Sequence, residues 1–144
     1  MNLREQGRKY IEEMSNGLRL GVFGSRTLRG EEVRGIVEDE IEKYGAKTIV
    51  TAAEIDGVSK EARRIAHKKG LCQILLSPDH KRFGRGAYNA RSLLVVYNSG
   101  KIVVIWDGVS RGTKGEIEFC KEKNIEYDLF MLKERLDLDF GVDD

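Results

Sequence analysis

Two short stretches of small and hydroxyl-bearing residues carry the clearest chemical signal in this sequence. They are segments 24–27 (Gly-Ser-Arg-Thr) and 108–113 (Gly-Val-Ser-Arg-Gly-Thr). Glycine lets backbone N–H groups approach an anion, hydroxyls add further donors, and arginine adds a fixed positive charge. Taken alone, either stretch is equally compatible with an ordinary turn and helix cap. Together they favour a phosphate-bearing ligand, held by Gly24, Ser25, Arg26, Gly108, Ser110, Gly112 and Thr113.

The apolar patterning predicts the elements that position these residues. Strands over 18–23, 47–53, 71–77, 102–107 and about 127–132 alternate with helices over about 33–44, 58–66, 87–97 and 114–123. This alternation predicts an α/β, three-layer Rossmann-like domain with a parallel sheet in the order 3-2-1-4-5. Ligands bind such sheets beyond the carboxyl ends of the strands, where the winding reverses. Segments 24–27 and 108–113 follow strands one and four, so we expect them to lie side by side there.

Beyond this sheet, the sequence predicts an extra N-terminal amphipathic helix over 3–14. Residues 1–133 are expected to form a single domain. Residues 134–144 hold five acidic residues and one arginine, and we interpret them as an acidic tail with a frayed end.

Composition excludes several classes of protein. The 25 lysines and arginines balance 24 acidic residues, so bulk charge does not indicate a polyanion binder, although residues 60–92 hold nine basic residues against two acidic ones. The longest apolar runs span five residues, far below the roughly 18 of a membrane span, and the charged N-terminus does not resemble a signal peptide. We therefore expect a cytoplasmic protein without a membrane partner. Cys72 and Cys120 are expected to be reduced core cysteines, and neither a metal nor a cofactor is predicted.

Segments 24–26, 57–62, 86–91 and 112–113 resemble the SLOG superfamily. That superfamily is named after Smf (DNA-processing protein A) and the Lonely Guy proteins, and it includes small YspA-like single-domain members. The resemblance covers about residues 18–130 and implies a Rossmann-like nucleotide-binding domain in which Gly57 also contributes to the binding site.

The loop at 107–116 carries the most specific part of this resemblance. Lonely Guy enzymes hydrolyse a nucleoside monophosphate to a free base and ribose phosphate, and they carry a Pro-Gly-Gly-x-Gly-Thr-x-x-Glu loop. Here Gly112-Thr113-Lys114-Gly115-Glu116 preserves Gly-Thr-x-x-Glu, whereas the leading Pro-Gly-Gly is absent. Those enzymes also place an arginine on the preceding helix, which corresponds to Arg91. The resemblance implies that Arg91 and Glu116 are catalytic if the protein is an enzyme, with Glu116 expected in the first turn of its helix.

The sequence departs from the family after the second strand. Segment 51–56 reads Thr-Ala-Ala-Glu-Ile-Asp in place of a glycine run, and its methyl groups should narrow the approach to a phosphate. A carboxylate at Glu54 or Asp56 would instead favour contact with a ribose hydroxyl. This departure favours a nucleotide-binding or sensor domain. A phosphoribohydrolase and a DNA-associated protein that uses the basic residues of 60–92 are the alternatives.

The helix predicted over 87–97 also bears on assembly. Its residues Leu93, Leu94, Val95, Val96 and Tyr97 place apolar side chains on several sides. A helix of this kind is usually buried on several sides. We therefore expect a homodimer or a higher homo-oligomer, with burial inside the monomer as the alternative.

Overall fold

In the computed structural model, which describes residues 2–8 and 18–133, five parallel strands form one sheet. The strands are β1 (Arg19–Gly24), β2 (Thr48–Ala52), β3 (Cys72–Leu76), β4 (Lys101–Trp106) and β5 (Tyr127–Met131). Their order across the sheet is β3-β2-β1-β4-β5, and every neighbouring pair is parallel. The predicted α/β class and strand order are confirmed.

Helices cover both faces of this sheet and produce the three layers. The crossover helices are α1 (Glu31–Tyr44), α2 (Gly57–Lys69), α3 (Ala87–Tyr97) and α4 (Arg111–Glu122). Helices α1 and α2 contribute to the apolar cluster on one face, and α3 and α4 contribute to the cluster on the other. A short helix (His80–Phe83) and a 3₁₀ turn (Gly84–Gly86) lead into α3.

Strand β4 shows why its apolar run lacks the alternation of a half-exposed strand. Val103 and Ile105 belong to the cluster under α1 and α2, whereas Ile102 and Val104 belong to the cluster under α3 and α4. All four side chains are fully buried. Successive residues of a strand point to opposite faces, so a strand covered on both sides must be apolar throughout. Because β4 is packed on both faces and pairs with β1 as far as Gly24 and Ile105, the carboxyl ends of these two strands are held next to each other.

Several details differ from the sequence-based expectation. Helix α4 begins at Arg111 rather than near Lys114, and Ser110 occupies its N-cap position. Cys120 is buried as expected, but the core placement of Cys72 was wrong, since this residue is exposed on the edge strand β3. The short helix at His80–Phe83 was not predicted; the Asp79 carboxylate accepts a hydrogen bond from the Arg82 N–H at its start.

The structure describes only part of the N-terminal and C-terminal segments of the chain. Residues 3–8 are helical, whereas the remainder of the predicted 3–14 helix and the predicted acidic tail at 134–144 lie outside the described residues. Across residues 2–8 and 18–133, no helix combines the length and apolar character that crossing a membrane requires.

Candidate functional site

A cleft of about 530 Å³ opens where β1 and β4 end. Its volume lies within the range of small-molecule sites. The predicted residues that line it are Gly24, Arg26, Arg91, Ser110, Gly112, Thr113 and Glu116. Further lining residues include Thr27, Glu54, Tyr88, Asn89, Ser92, Asp107 and Arg111. The cleft therefore joins the two predicted loops to side chains from α3 and from the segment after β2.

The loops after β1 and β4 are tied directly to each other, which confirms that they lie side by side. The Asp107 N–H donates to the Ser25 hydroxyl oxygen at 3.0 Å, and the Thr27 hydroxyl donates to the Asp107 carboxylate at 2.8 Å. Asp107 also accepts hydrogen bonds from the N–H groups of Val109 and Ser110, at 2.9 and 2.8 Å. Burial opposes ionisation of Asp107, but these hydrogen bonds lower its pKa. Asp107 is thus a charged anchor for both loops.

Three of the predicted binding residues hold the loops rather than line the cleft. The Ser25 side chain is fully buried, and its hydroxyl faces Asp107. Gly57 has a φ of +76°, and a Cβ there would lie 2.4 Å from the Arg26 Cα. Gly108 has a φ of +87°, which L side chains rarely adopt. These residues set the path of the loops, while contact of any of them with a ligand stays a prediction.

Gly24 lines the cleft but also has a packing role. A Cβ on Gly24 would lie 2.4 Å from the Val58 Cβ on α2. Glycine at this position therefore allows α2 to approach the end of β1.

The N-terminus of α4 forms one end of the cleft. Ser110 occupies its N-cap position, yet no side chain caps the helix, so the backbone N–H groups of its first turn face solvent or a ligand. The Ser110 and Thr113 hydroxyl oxygens lie 3.3 Å apart. The space beside Gly112 is open, since an added Cβ would meet no atom within 4 Å. With Arg111 beside it, this end has the donors and dipole that bind an anion.

Arg26 brings a second guanidinium to the cleft from the loop after β1. Its Nε donates to the Asp56 carboxylate at 2.9 Å, in an exposed ion pair. Asp56 therefore orients Arg26.

A buried carboxyl group lies on the wall of the cleft that α3 and α4 form. Glu116 is in the second turn of α4, because the helix begins earlier than expected, so its predicted first-turn position was wrong. Its carboxyl accepts a hydrogen bond from the Ser92 hydroxyl at 3.1 Å. Burial, with a contribution from the negative charge of Glu54, raises the pKa of Glu116 to about 8, against the opposing effects of Ser92 and Arg91. Glu116 is therefore largely protonated at neutral pH.

Arg91 also lines the cleft, but its ion-pair partner is Glu54 rather than Glu116. The Arg91 terminal nitrogen lies 3.9 Å from the Glu54 carboxylate, and the guanidinium lies over the Tyr88 ring at 5.2 Å. Its side chain is 8% exposed, and its Nε is buried without a hydrogen-bond partner in the structure. Glu54 is oriented in turn by the Ser59 hydroxyl at 3.1 Å. Arg91 thus contributes a mostly buried guanidinium to the wall of the cleft.

Several contacts of this candidate site were not predicted from the sequence. Ser92 has no motif of its own, although it immediately follows Arg91, and only the packing of α3 on α4 reveals its bond to Glu116. Asp107 ends the apolar run of β4, a position that could have marked it as a polar group at the sheet edge. Over residues 2–8 and 18–133, no cluster of three or more histidine, cysteine or acidic side chains is suited to a metal ion.

Comparisons with known proteins do not identify a function for this chain, so the proposal below depends on the geometry of the cleft. No protein-family model, curated protein or solved structure matches this chain.

Proposed function

We propose that this protein binds a nucleotide or a nucleotide derivative, with a phosphate at the N-terminus of α4. The observation that carries the proposal is the uncapped start of this helix, which opens into the cleft with the Ser110 and Thr113 hydroxyls beside it. Backbone N–H groups of Gly112 and Thr113 would hold the phosphate, and Arg26 would reach it or the adjoining sugar from the other loop. The resemblance to the SLOG superfamily supports the same class of ligand.

Substitution of Gly112 by valine tests this proposal. The added side chain fits the fold, because a Cβ at Gly112 meets no atom within 4 Å, but it would occupy the space beside the helix N–H groups. Loss of charge-assisted hydrogen bonds should weaken binding about tenfold or more. Calorimetric titration with nucleoside monophosphates, preceded by a thermal-shift screen that includes ADP-ribose, measures the change.

Gly35→Val is the matched control. Gly35 lies on α1, outside the cleft, and also has open space around an added Cβ. This variant should bind like the unmodified protein. Equal affinity of Gly112→Val and the unmodified protein for the best nucleotide would contradict the proposed phosphate position.

A second candidate function is hydrolysis of the N-glycosidic bond of the bound nucleotide. The observation that favours it is the largely protonated Glu116, which lines the cleft near the positive charge of Arg91. In such a reaction the bond between C1′ and the base breaks, and Glu116 gives its proton to the departing base. Water then adds to C1′ and returns a proton to Glu116. Arg91 would hold the phosphate or sugar through the part of its guanidinium that faces the cleft.

Replacement of Glu116 by glutamine separates the two candidates. Glutamine retains a hydrogen-bonding side chain near Ser92 but cannot donate an acidic proton, so release of the base should be lost while nucleotide binding persists. Chromatography of the reaction mixture detects the free base. Glu118→Gln, an exposed change on the same helix, should release base at the normal rate. Unchanged turnover in Glu116→Gln would eliminate this mechanism, and no turnover by the unmodified protein across the panel would leave the binding function alone.

A further inference from the structure

Apart from Arg91, which lines the cleft, the basic residues of 60–92 divide into two groups with different surroundings. On α2, Arg64 pairs with Glu61, Lys69 pairs with Glu38 and Glu42, and the Arg63 guanidinium donates to the carbonyl oxygens of Ala52 and Glu54. Three of the five lysines and arginines of α2 are thus engaged within the protein, whereas Lys60 and Lys68 are exposed.

The second group lies between β3 and α3 and has no such partners. Lys81, Arg82 and Arg85 are exposed, and none of them has an acidic side chain within ion-pair distance among the described residues. The nearby Asp79 carboxylate instead accepts a hydrogen bond from the backbone N–H of Arg82. Residues 80–86, which we call the basic rim, therefore present three exposed cationic side chains to solvent beside the single carboxylate of Asp79.

The basic rim lies at the same edge of the sheet as the cleft. In a parallel sheet, the segment after β3 leaves the carboxyl edge, and α3 starts its return from that edge. The His80 and Tyr88 rings contact each other with centroids 5.1 Å apart, and Tyr88 lines the cleft. Because Tyr88 also contacts Arg91, a row of aromatic and cationic groups runs from the basic rim into the cleft.

We propose that the basic rim is a second anion subsite and that the ligand carries a phosphate group besides the one at α4. This inference rests on the proposed function and narrows its ligand class. A nucleoside bisphosphate and a nucleotide linked to further nucleotides both have this chemistry. Lys81, Arg82 and Arg85 would bind the additional phosphate, while Tyr88 contacts the part of the ligand between the two subsites.

The test compares the unmodified protein with the triple variant Lys81→Gln, Arg82→Gln and Arg85→Gln. The four common nucleoside 5′-monophosphates and their 3′,5′-bisphosphates serve as probes, and calorimetric titration gives each affinity. In the unmodified protein, the second phosphate should tighten binding about tenfold through charge-assisted contacts. The triple variant should lose most of this gain while its affinity for the monophosphate changes less than about twofold.

A matched control removes the same amount of charge elsewhere. Lys47, Lys68 and Lys121 are exposed at the opposite edge of the sheet, so their replacement by glutamine should leave the gain intact. An equal loss in this control would show that bulk charge is responsible and would overturn the second subsite.

The remaining outcomes distinguish the proposals. Monophosphate binding without any gain from a second phosphate would overturn the subsite alone. Failure of every monophosphate and every bisphosphate to bind would overturn the proposed function and this extension with it. A single-stranded decanucleotide that binds more tightly than the bisphosphates, with the gain lost only in the rim variant, would support the subsite and identify nucleic acid as the source of the second phosphate. The salt dependence of that binding would then be steep.

Discussion

Glu116 shows how a single side chain can link function to the stability of the protein. Its carboxyl group is buried between α3 and α4, where Ser92 provides one hydrogen bond. Burial penalises the ionised form, so the native state retains the proton well above the usual pH. A group of this kind can donate a proton near neutral pH, but its later ionisation costs free energy of folding.

The pH dependence of stability tests this state of Glu116. The native pKa is about 8 and the ordinary value is 4.5, so the native state binds more protons than the unfolded chain between these values. The free energy of unfolding should therefore fall as the pH rises from about 4.5 to about 8, by at most about 1.4 kcal/mol per pH unit from this group. Glu116→Gln should remove this loss and melt at a higher temperature than the unmodified protein at pH 8.5.

Thermal unfolding followed by circular dichroism from pH 5 to pH 8.5 provides the measurement. Glu118→Gln, on the exposed side of α4, should retain the slope of the unmodified protein. If the melting temperatures of Glu116→Gln and the unmodified protein changed with pH in the same way, Glu116 would ionise normally. A proton-donating role would then have no basis.

At the scale of elements, α3 was only partly understood from its sequence. Val95 and Val96 are buried against the sheet and α4, so the core of the monomer accounts for them. Leu94 and Tyr97 remain 42% and 63% exposed, and they lie one turn apart on the same face. The apolar run predicted burial on several sides, but only the fold shows which side chains remain uncovered.

The expected self-association therefore depends on this exposed face. We expect light scattering at micromolar concentration to give about twice the 16.3 kDa mass of the chain. The double variant Leu94→Glu and Tyr97→Ser should be monomeric and still folded, because both side chains are exposed. Leu3→Glu changes another exposed leucine and should not alter the mass. A monomeric mass for the unmodified protein would contradict the prediction.

Helix α4 shows a different limit of prediction at this scale. Its first turns contain Gly112 and Gly115, which have low helix propensity and add nothing to an apolar stripe. The sequence pattern therefore placed the start of the helix near Lys114. That error of three residues is small for the fold, but Glu116 lies in a buried second turn rather than in the predicted first turn.

At the scale of the whole molecule, the strand order was predictable because the patterning is regular and few topologies satisfy right-handed crossovers. The same topology brings the loops after β1 and β4 together, so the place of the cleft followed as well. Contacts between distant side chains did not follow. The pair of Arg91 and Glu54 and the bond between Ser92 and Glu116 depend on how α3 packs against its neighbours.

The end of the sheet opposite the cleft illustrates the same point. Lys101 is the first residue of β4 and is buried, with its ammonium nitrogen 2.9 Å from the Asp128 carboxylate and 4.0 Å from that of Glu40. The hydrogen bond from Lys101 lowers the pKa of Asp128. These three residues come from β4, β5 and α1, and their spacing in the sequence does not predict that they are in contact. The molecule therefore places a structural ion cluster at one end of the sheet and the candidate binding site at the other.

The connection between Ser25 and Asp107 has a consequence for the thermodynamics of ligand capture. Because these residues and Thr27 already fasten the two loops together, the chain need not give up much conformational entropy when a ligand arrives. In such a preorganised binding site, ordering of the loops subtracts little from the free energy of binding. The loops that surround the phosphate position should therefore have nearly the same shape in the empty and occupied protein, and recognition there should approach a lock-and-key process.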